Sequence, residues 1–239
     1  MNIGDLCARM RDRFTTRVVE PLRMRVWLRS APAWDAYYPL RIEGALQHIA
    51  IARVADRMPD DVFAGYRGPM VELAIPVADV EMRGRKIACA SRAIPAEGWR
   101  FVTRMRARRT RAELINKPTV MTNGGEYKAL ALPVPSLSAA YLDFFVRGDR
   151  AMLADLCVDL RFLGRDGPRG WGTVDVVEID EDPDDRSLIF ERRPQRPLPV
   201  ADDHEAALLY DPGSYELREI GTRAPYWHRD SRALCAVPS

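Results

Sequence analysis

Between Phe162 and Val174 the chain reads Phe-Leu-Gly-Arg-Asp-Gly-Pro-Arg-Gly-Trp-Gly-Thr-Val, with glycines at 164, 167, 170 and 172. The segment before it is amphipathic. Asp149 is a capping residue, and Met152, Leu153, Leu156, Cys157 and Leu160 fall on one stripe, which predicts a helix from Asp149 to about Leu163. The segment after it, Thr173-Val-Asp-Val-Val-Glu-Ile, predicts a strand. Phosphate-binding loops of nucleotide hydrolases and dinucleotide-binding fingerprints both run strand, loop, helix. Here the loop runs from helix to strand, and Gly-Lys-Ser/Thr occurs nowhere. Both of those folds are therefore excluded. A helix C-cap explains one glycine. Four glycines with two arginines ask for more. Glycine admits close backbone approach, exposed amides can line an anion pocket, and arginine adds a planar fork that fits phosphate. The loop predicts a grip on a phosphate chain, and Trp171 beside it points to nucleic acid.

The rest of the chain supplies the frame. Residues 3–20 carry Leu6, Met10, Phe14 and Val18, an amphipathic helix that could pack on its own domain or on a neighbour. Residues 22–29 alternate Leu22, Met24, Val26 and Leu28 with Arg23, Arg25, Trp27 and Arg29, a half-buried strand with a basic outer face. Residues 41–57 predict a helix. Residues 71–80 and 86–93 suit strands, the first at an edge or bulge because of Pro76. Residues 99–108 alternate again, and 109–135 hold turn signals dense enough for a long hairpin or protruding loop. Residues 138–147 return to strand-like content. The order is an α+β, ferredoxin-like (RRM-like) βαββαβ pattern, with a thumb-like hairpin at about 104–135 and a β-rich C-terminal extension. The expected organisation is an N-terminal amphipathic helix over 1–20, one ferredoxin-like domain over 21–200, and an extension over 201–239 packed on it.

At 239 residues and 47% apolar content the chain can bury a real core, while a net charge of +2 says little about partners. Charge distribution says more. Lysine occurs only at 86, 117 and 128, which leaves 33 arginines among 36 cations. From Trp99 to Lys128, Arg100, Arg104, Arg106, Arg108, Arg109, Arg111, Lys117 and Lys128 face only Glu113 and Glu126. Aligned guanidinium groups repel without an anionic partner, so this run is assigned to RNA backbone. No stretch is apolar for long enough to cross a membrane, and the N-terminus lacks a signal-peptide core. Cys7, Cys89, Cys157 and Cys235 are scattered without zinc-ligand spacing, as for buried thiols in a reducing cytoplasm. No cofactor and no metal are expected. The acidic run over 178–185 reads as a solvated patch rather than a metal site. His48, with Tyr37 and Tyr38 before it, could belong to a His/Tyr/Lys set that cleaves RNA by general acid–base attack. No nearby lysine completes the set; a partly buried structural histidine is the plain reading of His48, which is also placed among the candidate RNA contacts.

Three stretches carry a resemblance. Pro39-Leu-Arg-Ile-Glu-Gly-Ala-Leu-Gln-His-Ile-Ala opens the first core helix, Phe144-Phe-Val-Arg-Gly-Asp leads into the second, and the glycine loop follows it. Together they resemble the RAMP superfamily of CRISPR effector proteins. With Ala224-Pro-Tyr-Trp-His near the C-terminus, they look like the small single-copy subunit of type IV complexes. The resemblance implies that Gly164, Arg165, Arg169, Gly170, Trp171 and Gly172 help grip guide RNA (crRNA). It implies that Arg104, Arg106, Arg108, Arg109, Arg111 and Lys117 act as a thumb on the RNA's five-prime handle or on the repeated backbone subunit. A large subunit is a further candidate partner. The function implied is non-catalytic. The alternatives are a metal-independent endoribonuclease that matures the guide, and a scaffold that touches only protein.

Overall fold

The computed structural model describes residues 2–15, 18–34, 40–55, 71–108, 130–164, 167–223 and 229–239. In chain order these form α1 (Ile3–Phe14), β1 (Glu20–Leu28), α2 (Ile42–Ala55), β2 (Asp79–Met82), β3 (Arg85–Ala88) and β4 (Ile94–Pro95). There follow β5 (Arg100–Arg108), β6 (Leu130–Ser138), β7 (Tyr141–Gly148), α3 (Arg150–Cys157) and β8 (Val174–Glu181). The C-terminal part adds β9 (Ile189–Phe190), β10 (Arg193–Pro194), β11 (Leu198–Pro199), α4 (Asp203–Leu209), β12 (Tyr215–Gly221) and β13 (Arg232–Pro238). The protein is mixed α/β, with antiparallel sheets and four described helices.

The main sheet has the order β4–β7–β1–β8, and every pairing in it is antiparallel. The alternation of β1 puts Leu22, Met24 and Val26 on one face, opposite Val146, Phe144 and Leu142 of β7. All six are fully buried. They share one cluster with Leu46 and Ala50 of α2, Leu153 and Leu156 of α3, and Leu6, Met10 and Phe14 of α1. The N-terminal helix thus packs on its own chain, settling the choice that its sequence leaves open. Asn2 caps it, accepting a hydrogen bond from the Asp5 amide at 2.8 Å. Asp149 caps α3 in the same way through Met152.

Several boundaries differ from expectation. α1 ends at Phe14 rather than near 20, because the chain must extend to enter β1 at Glu20. α3 ends at Cys157, not at Leu163. Its last amides turn inward by three residues, Asp159 to Leu156 and Leu160 to Cys157, after which the chain extends so that Phe162 bridges Thr173. Residues 71–80 form a strand only from Asp79, since Pro76 cannot donate to a ladder. Residues 86–93 yield β3, which pairs with β2, and then touch β7 through one bridge, Ala90 to Val146. The β4 edge of the main sheet is correspondingly short.

The C-terminal sheet, in the order β11–β13–β12, has its own small core of Ile87, Leu198, Val200, Ala206, Tyr210 and Ala236. Arg196 ties it to the rest. This guanidinium is fully buried and donates to Glu43 of α2 at 2.9 Å, to the Thr222 carbonyl at 2.9 Å and to the carbonyls of Ala88 and Ala90. Among the described residues no helix is long and apolar enough to cross a membrane.

Candidate nucleic-acid interface

The glycine loop is a bend with a closed base. Phe162 bridges Thr173, the Leu163 amide donates to the Gly172 carbonyl at 2.8 Å, and the Val174 amide donates to the Arg161 carbonyl at 2.9 Å. Its two ends have different surroundings. Gly172 has φ +61, and a Cβ there would stand 2.1 Å from the Leu163 carbonyl oxygen. Gly170 has φ +80, and a Cβ there would meet nothing within 4 Å. Gly172 is glycine because protein backbone crosses it; Gly170 sits at an open apex. The expectation of successive bare amides needs correction. The Gly170 amide donates to the Gly167 carbonyl at 2.8 Å and the Gly172 amide to the Ala31 carbonyl at 3.2 Å. The bend folds on itself and on its neighbour, so those two groups are already hydrogen-bonded. Gly164, Arg169 and Gly170 are exposed; Arg165 lies outside the described residues.

A strap over residues 30–34 joins this bend to the basic hairpin. On one side the Ser30 hydroxyl donates to the Gly170 carbonyl at 2.7 Å and accepts from the Thr173 amide at 2.9 Å. On the other side Ala33 bridges Ser136 of β6, the Leu137 amide donates to the Pro32 carbonyl, and the Trp34 amide donates to the Pro135 carbonyl. Trp171 fills the angle between the two parts. Its side chain packs with Ala33 and Val134 and is 8% exposed. The Arg104 guanidinium lies 5.7 Å above its ring and 3.5 Å from the Ala31 carbonyl. The aromatic that the sequence assigns to nucleic acid anchors the loop to the hairpin.

β5 and β6 pair over nine positions from Arg100 opposite Ser138 to Arg108 opposite Leu130. Arg104 pairs with Val134 and Arg106 with Leu132, so the arginines share the face that meets the loop. The other face carries Phe101, Thr103 and Met105 opposite Leu137, Pro135 and Pro133. Phe101 is 56% and Met105 58% exposed, the reverse of an ordinary amphipathic strand. The Arg108 side chain and all of Arg109, Arg111 and Lys117 fall outside the described residues, as do Tyr37, Tyr38 and residues 224–228. His48 is exposed on α2, outside both loop and hairpin.

The basic outer face expected of β1 does not survive folding. Arg23 meets Asp180 at 2.7 Å, Arg25 grips Asp143 through two bonds of 2.9 Å, and Arg29 donates to Asp175 at 2.7 Å. The acidic run over 178–185 is likewise only partly a solvated patch. Asp180 belongs to the sheet pair, Asp182 is buried and holds Arg186, and Asp185 lies 3.4 Å from Arg147. Cross-strand register decides whether the two runs meet, and neither run carries that register in its own sequence. Among the described residues no group of His, Cys, Asp or Glu is placed to hold a metal ion. Burial pushes the thiols of Cys89 and Cys235 up to about 11 and that of Cys157 to about 12, which leaves them protonated and inert.

The family described as CRISPR type IV associated protein Csf3 matches residues 92–238. That span runs from just before β4 through the hairpin and the glycine loop to the end of β13. No curated protein matches the chain.

Proposed function

The chain belongs to the family of CRISPR type IV associated protein Csf3, and on that premise we propose that it is the RNA-binding subunit of a type IV CRISPR ribonucleoprotein. In this reading it caps the five-prime handle of the guide RNA and docks on the repeated backbone subunit. It binds and does not cut. Its core is a ferredoxin-like domain over 21–200, a reading supported by strand order β4–β7–β1–β8 with α2 and α3 sharing one core against the sheet. Residues 201–239 are the extension, clamped through Arg196.

One observation carries the RNA reading: the strap over residues 30–34 is hydrogen-bonded on one side to the glycine loop and on the other to the arginine-bearing hairpin. Two separated stretches of sequence thereby become one surface. Arg104 and Arg106 stand on the hairpin side and Arg169 on the loop side. Cationic side chains on a rigid scaffold fit a ribose–phosphate strand, and phosphate contacts supply most of the affinity in such complexes. With two loop amides bonded internally, the grip in this reading belongs to guanidinium groups and to the exposed apex.

The test is a salt titration of guide RNA with Arg106, Arg108 and Arg109 replaced by Ala. Each lost phosphate contact lowers the slope of log affinity against log salt by about 0.7 to 1. The triple variant should therefore lose about two to three units of slope. Unchanged affinity and slope would remove the hairpin from the RNA site. Specific cleavage of repeat RNA in EDTA, abolished by His48→Ala, would replace binding with an endoribonuclease function.

A further inference from the structure

The aromatic side chain that the glycine loop turns to solvent is Phe162. It is 39% exposed, against 8% for Trp171. Its backbone is fixed, because Phe162 forms the bridge to Thr173 and the hydrogen bonds on either side close the bend. Its ring is seated by a missing side chain. A Cβ on Gly167 would stand 2.6 Å from the Phe162 Cβ and 2.7 Å from its Cγ, so any other residue at 167 would displace the ring. Exposed Arg161 precedes it, and exposed Arg169 and Gly170 follow on the same bend. A single exposed apolar side chain needs no explanation in a soluble protein. A ring held on a stiff bend, seated by a glycine and flanked by cations, has the parts of a stacking platform. Single-stranded nucleic acid is bound by such a pairing, with cations tracking the backbone and rings stacking on bases whatever their sequence.

We propose that Phe162 stacks on an unpaired nucleobase of the strand whose phosphates cross the glycine loop, taking the part expected of Trp171. The proposal rests on the RNA-binding reading above. Trp171 then holds loop to hairpin, and Phe162 meets the ligand. Stacking needs only a π-face, so the site accepts any of the four bases.

The full-length protein is titrated against single-stranded oligoribonucleotides that each carry 2-aminopurine at one position, a base whose fluorescence falls when it stacks. The wild type should quench the probe at a few adjacent positions. Phe162→Ala should abolish the quench and weaken binding about fivefold to 150-fold, the range of one base stack. The salt slope should stay as in the wild type, since no phosphate contact is lost. Phe162→Trp should restore quench and affinity. Phe162→Leu keeps the cover over Gly167 without a ring, and should bind like Phe162→Ala. Wild-type affinity in Phe162→Leu, or a tight wild-type complex that quenches at no position, overturns the proposal and leaves the RNA reading standing. A wild type that binds no oligoribonucleotide overturns that reading, and this proposal with it.

Discussion

Strands β1 and β5 both alternate arginine with apolar residues, and their arginines end in different company. Across β1, Asp180 and Asp143 stand ready on the two neighbouring strands, and Asp143 takes Arg25 in a two-pronged bond. The Arg25 guanidinium also lies 3.8 Å from the centre of the Tyr141 ring. On β5 the partner strand offers Val134 and Leu132 opposite Arg104 and Arg106. Arg104 meets a tryptophan face and a carbonyl instead of a carboxylate. The apolar faces differ as well, since β1 buries Leu22, Met24 and Val26 while β5 leaves Phe101 and Met105 in solvent. Arginine in a strand therefore says nothing about function until its cross-strand neighbours are known. β1 uses its cations to hold a sheet together, whereas Arg104 of β5 holds the hairpin against the glycine loop.

The extreme of the structural kind is Arg196, and removing it is the harshest test of the contrast. It is fully buried and lies 2.9 Å from Glu43, which is buried too. Arg196→Ala would leave the Glu43 carboxylate in the interior without its cation, and would take the guanidinium N–H groups away from the carbonyls of Ala88, Ala90 and Thr222. Breaking a buried pair from one side costs about 3–5 kcal/mol. Urea unfolding should show that loss, while the protein that remains folded should bind guide RNA as the wild type does. A loss below about 1 kcal/mol, or a fall in salt slope, would blur the line between arginines that hold the fold and those proposed to meet RNA.

Asp143→Ala probes the same contrast on the sheet at smaller scale. The pair is mostly shielded, with 21% of the Arg25 side chain and 13% of the Asp143 side chain exposed. Hydrogen bonding to Asp143 raises the Arg25 guanidinium above its ordinary range, and an arginine that loses such a partner still keeps its charge at neutral pH. The expected loss in urea is about 1.5–3 kcal/mol, the range for a bond to a charged group. RNA affinity offers the sharper reading. If Arg25 is purely structural, freeing it should not strengthen binding; if Asp143→Ala tightens the RNA complex, the sheet face joins the interface.

How much of this was legible follows from how far apart the interacting residues lie. β1, α1 and α2 could be read because a local period of two or 3.6 fixes which residues are buried. The stripe overstates α3 because Leu160 and Leu163 continue it, and the bridge from Phe162 to Thr173 that extends the chain is invisible in the stripe. The glycine loop is visible in the sequence; that its tryptophan is buried is not. Nothing local distinguishes Trp171 from Phe162. What separates them is a strap some 140 residues earlier in the chain, where Ala33 covers one ring, and a glycine that seats the other. Arg196 and Glu43 are 153 residues apart, and a pair of that kind carries no pattern at all.

The weakest member of the contrast is the exposed pair Arg23 and Asp180, with a third of one side chain and half of the other in solvent. Exposed pairs contribute little, and salt screens them. The pair still leaves a signature in acid. Its hydrogen bond to Arg23 holds the Asp180 carboxyl below the usual carboxylate range. A group whose pKa is lower folded than unfolded stabilises the fold above its unfolded value, near 4. That stabilisation disappears as pH falls through the folded value. The melting temperature of the wild type should exceed that of Asp180→Asn slightly at neutral pH and low salt. The gap should close in high salt, and close again as pH drops below the ordinary carboxylate range. Should the gap persist unchanged in acid or in salt, Asp180 stabilises the protein through something other than its charge, and the pairing that sets β1 apart from β5 rests on Asp143 alone.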